Sequence, residues 1–121
     1  MLGGCPVRNK SMSLDLILVL TTCASLEVAD RLALALVEQR LAACVNVLPG
    51  VHSTYRWLGK IERDNEVLVV IKTAKTKLAA IETSIKAISG YELPELVALD
   101  IAGGAADYLS WLENSMQGDP G

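Results

Sequence analysis

The stretch from Leu41 to Thr73, LAACVNVLPGVHSTYRWLGKIERDNEVLVVIKT, constrains the fold more than any other part of the chain. Two apolar, β-branched arms, Ala42 to Tyr55 and Ile61 to Thr73, meet at Leu58-Gly59-Lys60, where glycine supplies the backbone freedom of a tight turn. The pattern predicts one long two-stranded ribbon folded back near Gly59. Counting outward from Gly59 sets Trp57 against Ile61, Tyr55 against Arg63 and Val51 against Val67 on one face. Arg56 against Glu62 and His52 against Glu66 then fall on the other, so that an apolar, aromatic face backs a face of opposite charges paired across the strands. Pro49-Gly50 interrupts the first arm. Proline cannot donate to a ladder and glycine tolerates a bulge, which predicts a kink within the strand and not its end. Ordinary strands run about 5 to 6 residues. Arms this long overhang the sheet, and an overhanging apolar ribbon with open edges invites a second copy of the chain to cover it.

The remaining segments read as packing for that ribbon. Residues 1–13 lack periodicity, hold Gly3-Gly4 and Pro6, and read as a flexible N-terminal arm in which Met12 is a candidate start. Leu14 to Thr22 is a near-continuous apolar run, the pattern of a strand covered on both faces. Ser25 is placed to cap a helix with Glu27 in its first turn, and Ala29, Leu32, Ala33, Leu36 and Val37 recur on one face up to Arg40. After the ribbon, Leu78, Ile81, Ile85 and Ile88 form a second helical stripe that Gly90 is placed to end. A loop from Tyr91 to Glu95 enters a strand from Leu96 to Ala102, and Ala105 to Met116 closes the domain as a short helix. The order predicts an α+β, ferredoxin-like βαββαβ sandwich over residues 14–116, with a long β2-β3 ribbon, a C-terminal helix and a tail over 117–121.

With 121 residues, 51% hydrophobic and 21% charged, the chain suits one folded domain. A mean hydropathy of +0.35 is high for so small a domain and points to apolar surface buried between subunits. The formal charge of -3, with no basic block, gives nucleic acid no phosphate-tracking face. Three widely spaced cysteines, Cys5, Cys23 and Cys44, fit reduced thiols in the cytoplasm better than a disulfide framework. Arg8 and Lys10 before Leu14 to Leu20, then Thr22-Cys23, superficially mimic a lipoprotein signal. Asp15 within so short an apolar run, and Thr22 before the bond to be cleaved, argue against that reading and against a membrane span.

Several strings in one order resemble the CutA family, the divalent-cation tolerance proteins. They are Leu41-Ala42-Ala43-Cys44-Val45-Asn46, Pro49-Gly50, Ser53-x-Tyr55-x-Trp57-x-Gly59-Lys60-Ile61, Glu66-x-x-x-x-Ile71-Lys72-Thr73, Tyr91-x-x-Pro94-Glu95 and Tyr108-Leu109-x-Trp111. The resemblance spans about Leu14 to Met116. It implies a ferredoxin-like homotrimer in which ribbons of neighbouring copies pair, with a role in tolerance of copper and other divalent metals. Many members read His-Pro-Tyr where this chain has Ser89-Gly90-Tyr91, so a metal site built on that histidine does not carry over, and Cys44 is left as the family-matched thiol.

Cys44 offers the thiolate that soft Cu(I) prefers, although a lone cysteine in an apolar strand also serves simply as a small core residue. His52, the one histidine, is a second candidate ligand that Glu66 would orient, or else half of a surface ion pair. Cys23, near a helix start, is a third, with packing as its alternative. Tyr91, Pro94 and Glu95, with Glu66 and Lys72, are expected to line a cleft between subunits, as a site for a small anion or metal or as a satisfied interface network. Tyr55 and Trp57 near the ribbon tip are expected to anchor the trimer. No nucleophile-base pair, phosphate-cradling glycine loop or metal-hydrolase signature speaks for an enzyme or an organic cofactor. The leading expectation is a non-catalytic trimer that binds or responds to copper or another divalent metal. A trimeric small-molecule sensor resembling the nitrogen-regulatory PII proteins, and a purely structural trimer, are the alternatives. A PII-type sensor carries a long flexible loop where this chain has a tight turn.

Overall fold

The computed structural model describes residues 15–117, so the proposed N-terminal arm with Met12 and all but the first residue of the tail lie outside the described residues. Strands β1 (Leu16–Cys23), β2 (Cys44–Trp57), β3 (Lys60–Ala74) and β4 (Val97–Asp100) form one antiparallel sheet of order β2-β3-β1-β4. Helix α1 (Leu26–Glu38) follows β1, α2 (Leu78–Ile88) follows β3 after a 3-10 turn at Lys75–Lys77, and α3 (Ala106–Ser115) ends the chain. This succession in an antiparallel sheet is the expected α+β, ferredoxin-like arrangement.

The alternation of side chains along each strand divides the sheet into two unlike faces. Ile17, Val19 and Cys23 of β1 and Val67, Val69 and Ile71 of β3 meet Leu32, Leu36, Ile81 and Ile85 of α1 and α2 in the main core, with Val45 and Val47 packed beside them. Residues of the opposite parity face away. At one end of that second face Leu16, Ala43 and Ala74 pack under Leu112 and Met116 of the α3 region. Along the rest of it Leu18, Leu20, Leu68 and Val70 are half-buried, while Leu48, Val97 and Leu99 are 44 to 47% exposed, so among the described residues no helix covers it.

The helices begin and end for local reasons. The hydroxyl of Ser25 accepts from the Val28 amide at 3.2 Å, capping α1. That helix closes with Leu41 N–H donating to Leu36 C=O at 2.9 Å and Arg40 N–H to Val37 C=O at 3.0 Å, which holds Arg40 at φ +57° where glycine is usual. The Arg40 guanidinium then donates to the Ser115 carbonyl at 2.9 Å, placing a cation at the C-terminus of α3. Gly90 follows α2 at φ +78°. Val37, expected on the core face, is 42% exposed, and β4 is confined to four residues on the sheet edge.

The kink within β2 is present. Leu48 pairs with Leu68 but Val51 with Glu66, so Pro49 and Gly50 together stand opposite Val67, with Gly50 at φ +84°. The register beyond the kink departs from the one counted from Gly59. Leu58 (φ +51°) and Gly59 (φ +81°) form a two-residue turn with both central residues left-handed, which centres the hairpin between them and moves every pair by one. Trp57 pairs with Lys60, Arg56 with Ile61, Tyr55 with Glu62, His52 with Asn65 and Val51 with Glu66. The expected Arg56–Glu62 and His52–Glu66 pairs are therefore absent. Tyr55 and Trp57 share a face with Glu62, Asp64 and Glu66, while His52, Arg56 and Arg63 occupy the other.

Candidate functional site

A cleft of about 790 Å³ opens between the distal half of the ribbon and the loop that leads into β4. Three parts of the chain build it. Ser53 to Trp57 arrive on β2, Glu66 stands on β3 just beyond the end of β1, and the segment Tyr91 to Val97 forms the facing wall. Two hydrogen bonds tie the loop to the sheet: the Tyr91 hydroxyl donates to the Glu66 carboxylate at 2.9 Å, and the buried Thr21 hydroxyl donates to the Glu95 carbonyl at 2.6 Å. Ser89 adds a local tie, its hydroxyl accepting from the Tyr91 amide at 3.2 Å. Across the cleft the Tyr55 hydroxyl donates to Asp64, its diagonal neighbour on the same ribbon face.

Negative charge dominates this region. The hydrogen bond to Asp64 raises the Tyr55 phenol to about 12, with lesser contributions from burial and from Glu62 and Glu66. Burial and the hydrogen bond to Glu66 raise Tyr91 as well. Both phenols therefore remain neutral donors.

Of the residues expected at the cleft, Glu66, Tyr91, Pro94 and Glu95 come together within one chain, and Tyr55 and Trp57, expected as trimer anchors, join them in the lining. Lys72 does not. It lies six residues from Glu66 along β3, about 20 Å at the rise of a strand, with its ammonium 3.3 Å from the Tyr108 hydroxyl and 5.5 Å from that ring's centre. Tyr108 in turn stacks on Trp111 at 5.6 Å.

The three candidate metal ligands are dispersed. Cys44 is half-buried on the second sheet face, across from Lys72, with Sγ 4.0 Å from Asn46 Oδ1. His52 is exposed on the far arm, eight residues along β2 from Cys44, which separates them by about 25 Å. Cys23 is buried in the main core, where burial first and Glu66 second raise its pKa and favour the thiol over a thiolate. Among the described residues no three His, Cys, Asp or Glu side chains gather where one metal ion would fit.

Thr21, Asp64 and Arg40 escaped the sequence reading, since each acts on an atom far away in sequence or across an unforeseen register. The signal that was available is the Thr21-Thr22 pair within an apolar strand, two hydroxyls that burial obliges to find partners.

A family model described as CutA1 divalent ion tolerance protein matches residues 17–115. The chain belongs to the CutA1 family. A divalent-cation tolerance protein CutA of Thermus thermophilus is 47% identical over 97 residues, covering 80% of this chain and 94% of that protein. The chloroplastic CutA protein of Arabidopsis thaliana is 39% identical over 109 residues, covering 90% of this chain, which spans only 60% of that longer protein. The crystal structure of CutA from Xylella fastidiosa superimposes with a TM-score of 0.82 at 41% identity, covering 85% of this chain and 99% of that one. The family match takes in every strand and helix described above except the first residue of β1, Leu16.

Proposed function

We propose that this chain serves divalent-cation tolerance as a homotrimer that binds copper or another divalent metal at a site shared between copies, with Cys44 as the soft ligand and no catalytic step of its own. The observation that carries the reading is the position of Cys44. It lies half-buried on the second sheet face, much of which no described helix covers and where copies would meet, and among the described residues no three His, Cys, Asp or Glu side chains gather around it. A soft cation held by one thiolate needs further donors, and symmetry-related copies would supply them. The same assembly would bring Lys72 of one copy toward the Glu66, Tyr91, Pro94 and Glu95 cleft of another, since the two groups are too far apart within one chain. Tyr55 and Trp57, 40% and 38% exposed, would anchor the contact.

The two-residue turn at Leu58-Gly59 favours this reading over a PII-like sensor, whose long loop has no counterpart here. Free Cys23 and Cys44 suit a reducing compartment, and we place the chain in the cytoplasm on that basis. Among the described residues no helix is long and apolar enough to cross a membrane.

Titration with Cu(I) and Zn(II) under reducing conditions tests the assignment. Cys44→Ser should weaken Cu(I) binding at least tenfold, about 1.4 kcal/mol, and change its stoichiometry per trimer. A loss of roughly threefold or less would remove Cys44 from the site.

A further inference from the structure

Beyond the bulge the observed register gives the ribbon two faces of opposite charge. The front, continuous along β3 with the second sheet face, carries Glu62, Asp64 and Glu66 beside Tyr55 and Trp57, with one cation, Lys60, opposite Trp57 at the tip. The back carries Arg56 and Arg63 with His52, Thr54, Ile61 and Asn65. Every one of these back residues is exposed, Ile61 to 57%.

The two faces match in spacing as well as in sign. Glu62 and Asp64 stand two residues apart on β3, and Arg56 and Arg63 occupy adjacent rungs of the ladder, since Arg56 pairs with Ile61 and Arg63 with Thr54. Either pair is therefore separated by about 7 Å along the ribbon. Among the described residues neither guanidinium has an ion pair or hydrogen bond within its own chain, so two like charges stand close together with no anion between them. On the front, Asp64 keeps acceptor capacity after accepting the Tyr55 hydroxyl, because a carboxylate offers about four lone-pair positions. Glu66 lies one rung nearer the base of the ribbon, where it holds Tyr91 and lines the cleft.

We propose that the basic back of one copy's ribbon docks on the acidic front of the next copy's, with Arg56 and Arg63 on Glu62 and Asp64 and with Ile61 against Tyr55 and Trp57. This contact presupposes the trimer proposed above and supplies the junction that closes it. A guanidinium pairs with a carboxylate through a rigid fork and lays its plane on an aromatic face, so both parts of the front suit an arginine. A front unlike the back makes the junction head-to-tail, and repeated around three copies it closes a ring. A two-fold dimer through either face would instead set like charges against each other. Lys72 and the cleft at Glu66 lie nearer the base of the ribbon and stay outside this junction.

Sedimentation equilibrium of charge variants tests the junction on the whole chain. Arg56→Glu with Arg63→Glu makes both faces acidic, and Glu62→Lys with Asp64→Lys makes both basic, so each pair should weaken the trimer by about tenfold or more. Combining the two pairs restores opposite faces and should bring assembly back to within about threefold of the parent. Arg56→Gln with Arg63→Gln keeps the back polar without its charge. That variant should weaken the trimer and flatten its dependence on salt, and it carries the test if a reversed chain fails to fold. A parent trimer indifferent to either reversal, or a combined variant no better assembled than its halves, would overturn the junction and leave the trimer standing. A monomeric parent would remove both.

Discussion

Tyr55 and Tyr91 each give a hydroxyl hydrogen bond to a carboxylate on one ribbon face, and that choice of partner shows how acidic the face is. Tyr55 is raised from 10.0 to about 12 chiefly by its bond to Asp64. A raised folded-state value means that the contribution to stability is complete below pH 10 and is lost as pH climbs from 10 toward 12. Tyrosinate absorbance during alkaline titration should therefore reveal a late-titrating phenol that Asp64→Asn returns toward 10, and an unchanged curve in that variant would dissolve the pair. Tyr91 joins a half-buried phenol to Glu66 and so pins the loop. Tyr91→Phe should cost about 0.5–1 kcal/mol in thermal or urea denaturation, the worth of one hydrogen bond whose partner can still be solvated. A cost above about 2 kcal/mol would mean that the hydroxyl holds more than this contact. Neither bond could be read in the sequence, because the Tyr55–Asp64 diagonal depends on the exact register and Tyr91 meets Glu66 only through the fold.

The ribbon shows where element-scale reading succeeds and where it stops. The bulge at Pro49-Gly50, the Ser25 cap, the Ile81 and Ile85 stripe and the Gly90 stop were all legible, because each rests on a residue whose backbone or period admits few alternatives. The hairpin register was not. A left-handed first turn residue is announced by Asn or Asp, whereas this chain has Leu58 at φ +51°, 86% exposed, and leucine gives no such signal. Moving the turn by half a residue transfers His52 and Arg56 to the face opposite the carboxylates they were expected to meet. Leu58→Asn should accordingly stabilise the chain by about 0.5–1 kcal/mol, since asparagine tolerates the left-handed region that leucine resists. Urea unfolding gives the sign, and a destabilised variant would show that Leu58 is held there by a contact beyond its own chain. Arg40 is the second such residue, and its guanidinium on Ser115 is the compensation that leucine at the turn lacks.

At the scale of the whole molecule, the overhang of the ribbon is what opens the cleft. Tyr55 and Glu66 lie on the part of the ribbon beyond the end of β1, where Tyr91 and the loop before β4 form the facing wall. The sequence grouped Glu66, Tyr91, Pro94 and Glu95 with Lys72, placed at the opposite end of the ribbon arm, around a cleft between subunits; within one chain the first four come together and Lys72 lies instead against Tyr108. The same geometry leaves a broad apolar face unsatisfied. Leu48, Val97, Leu99, Tyr108 and Trp111 are each 42 to 48% exposed, beside half-buried Leu18, Leu20, Leu68 and Val70. A patch of that kind on a separate subunit is a site of association. Closure of three copies would cover it and leave no free strand edge for open-ended growth. Leu99→Lys discriminates between the two states of the molecule. In a monomer the lysine stem can lie along the edge strand with its ammonium in water, and the cost should stay within about 0.5 kcal/mol. In an assembly that buries on the order of 2,000 Å² or more, the same charge is trapped between copies and should cost several times that. Sedimentation equilibrium of the parent should show a trimer whose melting temperature rises with protein concentration, and Leu99→Lys should dissociate it. A parent chain that stays folded and monomeric at micromolar concentration, or a trimer indifferent to Leu99→Lys, would place the contact elsewhere and remove the shared metal site that depends on it.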